Sequence, residues 1–292
     1  IGQQKCITYL CRDKNSHMRD TKYKNITILS AKLLSEVNAK GKNWFTLDDA
    51  YNALSGMSAN AIRRQVARMA EDGLLMRIRE GVYYIIPFEQ DSELFLPDWH
   101  LLAEPLVGGE YYIGYYSALQ IHNLITQPSL KEQIVVNKQI KPSMMELKGV
   151  KFQFIYHNPN HFFGYKKIWI DSFNKVFCSD LEKTIIDCLY KPDYAGGIVE
   201  IAKALYMSKD KLKYTQLLDY VIKFNSQAVV KRLGYLLELL SIPAPIINEL
   251  QKIRTNSITV LDTEAPKQGK IMSRWNIQQN VDIETIKSAI IT

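Results

Sequence analysis

Between Thr46 and Pro87 the apolar positions change period, and the change predicts four elements in a fixed order. Thr46, followed three residues later by Asp49, is an acidic variant of the capping box and opens a short helix over about 47–54. Ser55-Gly56-Met57 interrupts it. Ser58 caps a second helix over about 59–72, in which Ile62, Val66 and Met69 share one face, and Gly73 ends it. The pattern then shortens to strand spacing over 74–78 and 82–86. Arg79-Glu80-Gly81 joins the two runs, and Gly81 can take the positive φ that a tight hairpin requires. Helix, turn, helix and hairpin form the plan of a winged helix-turn-helix.

Upstream, Ile26, Leu29, Leu33 and Val37 recur at helical spacing before Gly41 and supply a first helix. Trp44 and Phe45 make a short extended lead into Thr46 and are expected to cover a three-helix core. The winged domain is therefore placed at 25–88. Residues 1–24 are polar and read as an extension, disordered or left from a vector, with Met18 as the candidate native initiator.

Beyond the wing, the acidic stretch DSELFLPDWHLLAEPLVGG carries Pro97, Pro105 and Gly108-Gly109 and marks a boundary before a second domain over 98–292. There a Tyr-rich strand passes into a helix around 117–121, and strands are expected at 133–136, 150–156, 167–170 and in FNKVFCS. The period then turns helical. Ser179 and Asp180 can cap DLEKTIIDCLY, which stops before Pro192, and helices follow over about 198–207, 211–224 and 227–240. A helix in PAPIINELQKI, a strand in ITVLD, an extended region at Trp275 and a helix near 283–290 complete the chain. Strands first and helices later give an α+β class rather than a doubly wound sheet.

At 292 residues the chain has material for two domains, and its 47% hydrophobic and 23% charged residues are globular values. No apolar run approaches the roughly 20 residues needed to cross a bilayer, and the N-terminus lacks a signal-peptide core, so no membrane partner and a cytoplasmic location are expected. The net charge of +7 is uneven: residues 1–90 hold 14 Lys and Arg against 9 Asp and Glu, and the remainder holds 23 against 21. Cys6, Cys11, Cys178 and Cys188 have no C-x-x-C spacing, which fits a reducing compartment.

That basic excess sits with the predicted reader of DNA. At about 100° per residue, Asn60, Arg64 and Arg68 point away from the Ile62/Val66/Met69 face, with Arg63 on the flank. Arg64 and Arg68, one turn apart, repel each other by a few tenths of a kcal/mol, which an anionic partner would relieve. Phosphate and guanine edges suit Arg, and adenine suits Asn. Arg77 and Arg79 on the following hairpin extend the surface. Ser58, Asn60, Arg63, Arg64, Arg68, Arg77 and Arg79 are the expected DNA-binding residues. The competing reading is a solvated face in which Arg68 pairs with Asp72 and Glu71 dilutes the patch.

Five segments resemble, in this order, the AbiEi antitoxins of abortive-infection, type IV toxin-antitoxin systems: the winged N-terminus, YYIGYYSALQIHNLITQP, SDLEKTIIDCLYKPDYAGGIVEIAKAL, VVKRLGYLLELL and KQGKIMSRWNIQQN. The resemblance covers about residues 25–290. It implies a transcriptional autorepressor, acting in phage defence, whose winged domain binds inverted repeats in its own promoter. It further implies a C-terminal domain that antagonises a nucleotidyltransferase-like toxin without requiring direct contact. The alternatives are a stand-alone winged-helix regulator without a toxin and a metal-dependent nuclease-like enzyme.

The enzyme reading finds little in the residues. Lys191-Pro192-Asp193 followed by Glu200 and Lys203 resembles a PD-(D/E)xK nuclease only superficially, because acid and lysine are three apart in a helical run. Glu146-Leu147-Lys148 has the spacing but no Pro-Asp before it. His157 and His161 flank a turn without a third ligand and read as a polar loop, while Cys178 and Cys188 read as buried thiols. Phosphate-cradling glycine motifs are absent. Neither enzymatic activity, a metal nor a cofactor is expected. The lysines at 203, 209, 211, 213, 223 and 231, with Arg232, extend the DNA footprint or form a solvated face; Arg232, among leucines, suits a structural ion pair.

Overall fold

The computed structural model describes residues 24–290 except 126 and 130. The expectations for the N-terminal extension, including Met18, lie outside the described residues, apart from Lys24. The chain divides into two compact units, the first ending at Phe95 and the second starting at Leu96.

In the first unit, Thr27 caps α1 (Ile28–Ala39) by accepting from Ser30 N–H. Ile26 therefore precedes the helix instead of belonging to its apolar face and is 45% exposed, whereas Leu33 and Val37 are buried. β1 (Trp44–Thr46) leads into α2 (Leu47–Ala53). Both halves of the capping box form: Asp49 N–H donates to Thr46 Oγ1 at 3.2 Å, and Thr46 N–H donates to Asp49 Oδ2 at 2.9 Å. α3 (Ala59–Glu71) follows, then β2 (Leu75–Arg79) and β3 (Val82–Ile85), paired antiparallel in the order β1-β3-β2. Phe45, Leu33, Ile62, Val66, Met69 and Leu75 belong to the core, each stabilising it by about 1.5–3 kcal/mol through the apolar surface removed from water. This is a winged helix-turn-helix.

The pattern of apolar residues does not show the role of Gln65. It is buried on α3, and its Nε2 donates to Ser30 Oγ at 3.0 Å and Thr27 Oγ1 at 3.2 Å, fixing α3 against the capped start of α1.

The second unit begins with a 3-10 turn at Trp99–Leu102 and α4 (Ala103–Val107), then β4 (Tyr111–Ile113), α5 (Tyr115–Ile121), β5 (Lys131–Val136), β6 (Met144–Leu147), β7 (Val150–Tyr156), β8 (Tyr165–Trp169) and β9 (Lys175–Ser179). Six strands form one sheet in the order β6-β7-β5-β4-β9-β8, with β5/β7 and β4/β9 parallel and the other neighbours antiparallel. β6 escapes sequence reading because Met-Met-Glu-Leu on an edge has no fully buried position.

The helices α6 (Leu181–Tyr190), α7 (Gly197–Ser208), α8 (Tyr214–Phe224), α9 (Gln227–Leu239) and α10 (Ile247–Ile253) come next. Asp180 caps α6 by accepting from Lys183 N–H at 2.9 Å. β10 (Thr259–Val260), β11 (Lys270–Met272) and β12 (Ile277–Gln279) form a small sheet before α11 (Ile283–Ser288), and Trp275 and Ile277 join the core of the helical layer. The fold is α+β, strands first and helices later. No helix among the described residues is long and apolar enough to cross a membrane.

Candidate nucleic-acid interface

α3 starts where Ser58 accepts from Ala61 N–H at 3.4 Å, and it buries Ile62, Gln65, Val66 and Met69. The 3.6-residue period then forces Asn60, Arg63, Arg64 and Arg68 outward, and all four are exposed. Arg64 and Arg68 make no salt bridge or side-chain hydrogen bond among the described residues, so the pairing of Arg68 with Asp72 does not form. Arg63 is different: its Nε donates to Tyr51 OH at 2.8 Å, which fixes the guanidinium at the α2–α3 corner.

In the wing, Gly81 at φ +70° makes the turn, and its carbonyl accepts from Leu47 N–H at 2.9 Å, joining the turn to the start of α2. The β2–β3 register shifts between Arg77 and Arg79. Ile78 is buried while Arg77 and Arg79 on either side of it are exposed. The fold thus presents Ser58, Asn60, Arg63, Arg64 and Arg68 from one helix and Arg77 and Arg79 from the adjoining hairpin. Guanidinium groups so displayed can meet phosphate oxygens or guanine edges bidentately, and a helix of this diameter fits a major groove.

Residues 32–86 match the model of a transcriptional-regulator family, the AbiEi antitoxins. The match runs from within α1 to just past β3, so it covers the winged domain. The crystal structure of the RV2827C protein from Mycobacterium tuberculosis is similar in fold, with a TM-score of 0.66 at 13% identity over 92% of this chain and 97% of its own. At that identity the likeness extends to the fold alone. No curated protein matches. The AbiEi match thus makes transcriptional regulator the family reading of the segment that carries the exposed arginines.

The second unit corrects three expectations. Lys231 is no surface lysine: it is buried and donates from Nζ to Ser257 Oγ at 2.8 Å and to the Ser257 carbonyl. Arg232 is buried too, and instead of an ion pair it donates to the carbonyls of Leu189, Tyr190 and Val260. This exchanges a charge partner for three backbone acceptors and ties α6 and β10 to α9. Burial lowers its guanidinium to about 10.

His157 is likewise not part of a polar loop. It is buried between Tyr115, whose OH lies 2.7 Å from Nε2, and Tyr112, whose OH lies 3.2 Å from Nδ1. Tyr112 OH donates to Asp187 Oδ2 at 3.0 Å and accepts from Lys183 Nζ at 2.9 Å, while Lys183 also meets Asp187 Oδ1 directly. Burial pushes the Asp187 carboxyl up and the Lys183 ammonium down, and it depresses the His157 imidazole to about 2 with help from the nearby Lys183 charge. The i,i+4 spacing of Lys183 and Asp187 was visible, but on a helix such a pair usually faces solvent. Cys178 and Cys188 are buried thiols, as expected. Among the described residues no group of three or more His, Cys, Asp or Glu side chains could hold a metal ion.

Proposed function

We propose that this protein is a DNA-binding autorepressor of the AbiEi type, with its winged domain on inverted repeats of its own promoter. The observation that supports it best is the exposed arginine display of α3 and the wing within the segment matching that regulator family. α3 enters the major groove with its N-terminal half deepest, so Asn60, Arg63 and Arg64 reach base edges, Arg63 through the Nη groups that its bond to Tyr51 leaves over. Ser58 at the helix start, Arg68 a turn further on, and Arg77 and Arg79 of the wing meet phosphate or the neighbouring minor groove. The second unit antagonises a nucleotidyltransferase-like toxin without requiring contact with it, and the protein itself is not an enzyme.

Fluorescence anisotropy with the protein's own upstream DNA tests the regulator reading. Specific binding that weakens steeply with salt is expected, because phosphate neutralisation releases counterions. Equal affinity for upstream and random duplexes at physiological salt would remove autorepression. Growth of cells expressing a neighbouring nucleotidyltransferase gene, with and without this chain, tests the antitoxin part; no rescue would leave a stand-alone regulator.

A further inference from the structure

An open groove of about 430 Å³ in the second unit is lined by His122, Lys166, Trp169, Glu182, Lys211 and Lys213, with Asp180 and Gln216 beside them. It lies between β8, the end of α5 and the starts of α6 and α8. Its two acids are held by neutral donors and keep their charge. Asp180 accepts from Lys183 N–H at 2.9 Å, Tyr220 OH at 2.9 Å and Gln216 Nε2 at 3.2 Å, and Glu182 Oε1 accepts from Lys213 N–H at 2.8 Å. Lys166, Lys211 and Lys213 are exposed, and among the described residues none forms a salt bridge.

Three ammonium groups face the two carboxylates Asp180 and Glu182 around one concavity, so the groove stays net positive, and its walls concentrate that field inside it. The net positive charge suits a phosphate-bearing anion, and the volume falls in the range of roughly 300–1,000 Å³ for small-molecule sites. Trp169 adds an aromatic surface at the rim. Its residue is 60% exposed, and Lys175 sits 4.1 Å from the ring centroid. Aromatic rings beside a positively charged groove serve as stacking platforms for bases. His122 donates from Nε2 to the Ser179 carbonyl at 2.8 Å, so the neutral ring keeps Nδ1 as an acceptor.

We propose that this groove binds a phosphorylated nucleotide unit, supplied either as a free nucleoside polyphosphate or as the 5′-terminal nucleotide of a single strand. The phosphates meet Lys166, Lys211 and Lys213, and the base lies toward Trp169. The site uses only residues of the second unit, and the proposal stands whether or not the winged domain reads promoter DNA.

Calorimetric titration of the full chain with ATP, with a 5′-phosphorylated hexathymidylate and with inorganic pyrophosphate tests it. Binding of ATP or the hexamer more tightly than pyrophosphate is expected, and which of the two binds identifies the source. The Lys166→Ala/Lys211→Ala double variant should weaken that binding about tenfold, since each partly screened contact contributes modestly. Lys252→Ala on α10 and Arg64→Ala on α3 should leave it unchanged. No binding below about 1 mM, equal binding by the double variant, or pyrophosphate binding as tightly as ATP would overturn the proposal. So would displacement by random duplex, which would make the groove part of a duplex footprint. Arg64→Ala losing promoter binding while ATP binding persists separates this site from the winged domain.

Discussion

Gly234 and Trp275 share one space: a Cβ built on Gly234 in α9 would overlap the Trp275 indole, which is 1% exposed. The indole Nε1 donates to Glu238 Oε2 at 2.7 Å, one turn along the same helix, and Arg274 Nε donates to both oxygens of that carboxylate at 2.8 Å. The contact requires glycine on a helix whose backbone any residue could adopt. It also explains why KRLGY and KIMSRWN belong to one unit.

Gly234→Ala follows directly. Helix propensity alone would favour alanine by about 1 kcal/mol, but the methyl group must displace a packed indole, so net destabilisation of about 1–3 kcal/mol is expected. Urea denaturation measures it, and an unchanged or higher midpoint would show that Trp275 moves aside at no cost.

For the winged domain, Arg64→Ala should cost roughly 1–3 kcal/mol at the preferred duplex and relax preference at one base position. Arg79→Ala should weaken all duplexes together and flatten the salt slope. Competition against single-base variants decides between the two behaviours. Unchanged affinity and preference in Arg64→Ala would mean that α3 is not inserted as described.

The buried imidazole makes stability depend on pH. His157 is held to about 2 in the folded protein against an ordinary value near 6.5, so below pH 6.5 the unfolded chain takes up a proton that the folded one refuses. Its contribution is complete above pH 6.5 and declines as pH falls, by at most about 1.4 kcal/mol per unit. His100, whose bond to Glu132 raises it although burial opposes this, acts with the opposite sign. Comparing His157→Gln with the parent isolates the first effect: the slope of unfolding free energy between pH 6.5 and 5 should drop by about one proton. Parallel slopes would contradict the buried neutral assignment.

Limited digestion with a glutamate-specific protease should cut first at Glu89 or Glu93, both exposed in the segment that ends the first unit. Mass spectrometry would then find two resistant fragments. A first cut inside α6 or α9 would contradict the division.

The sequence by itself determined the elements of the winged domain and the residues it displays. Its information is local there: Thr46 with Asp49, Ser58, Gly73 and Gly81 punctuate a chain in which the period of the apolar residues fixes which side chains turn outward. Ile62, Val66 and Met69 must face inward, so Asn60, Arg64 and Arg68 cannot. The same logic places α6 between Asp180 and Pro192. What only the tertiary structure decided are the positions of polar residues whose partners lie far away along the chain. Lys183, Asp187 and His157 are buried because Tyr112, 71 residues from Lys183, supplies the hydroxyl that links them. Lys231 and Arg232 are buried because the carbonyls of Ser257, Val260 and Leu189 face α9. A charged side chain defaults to solvent unless desolvation is offset by partners, and partners brought together by folding leave no periodic trace in the sequence.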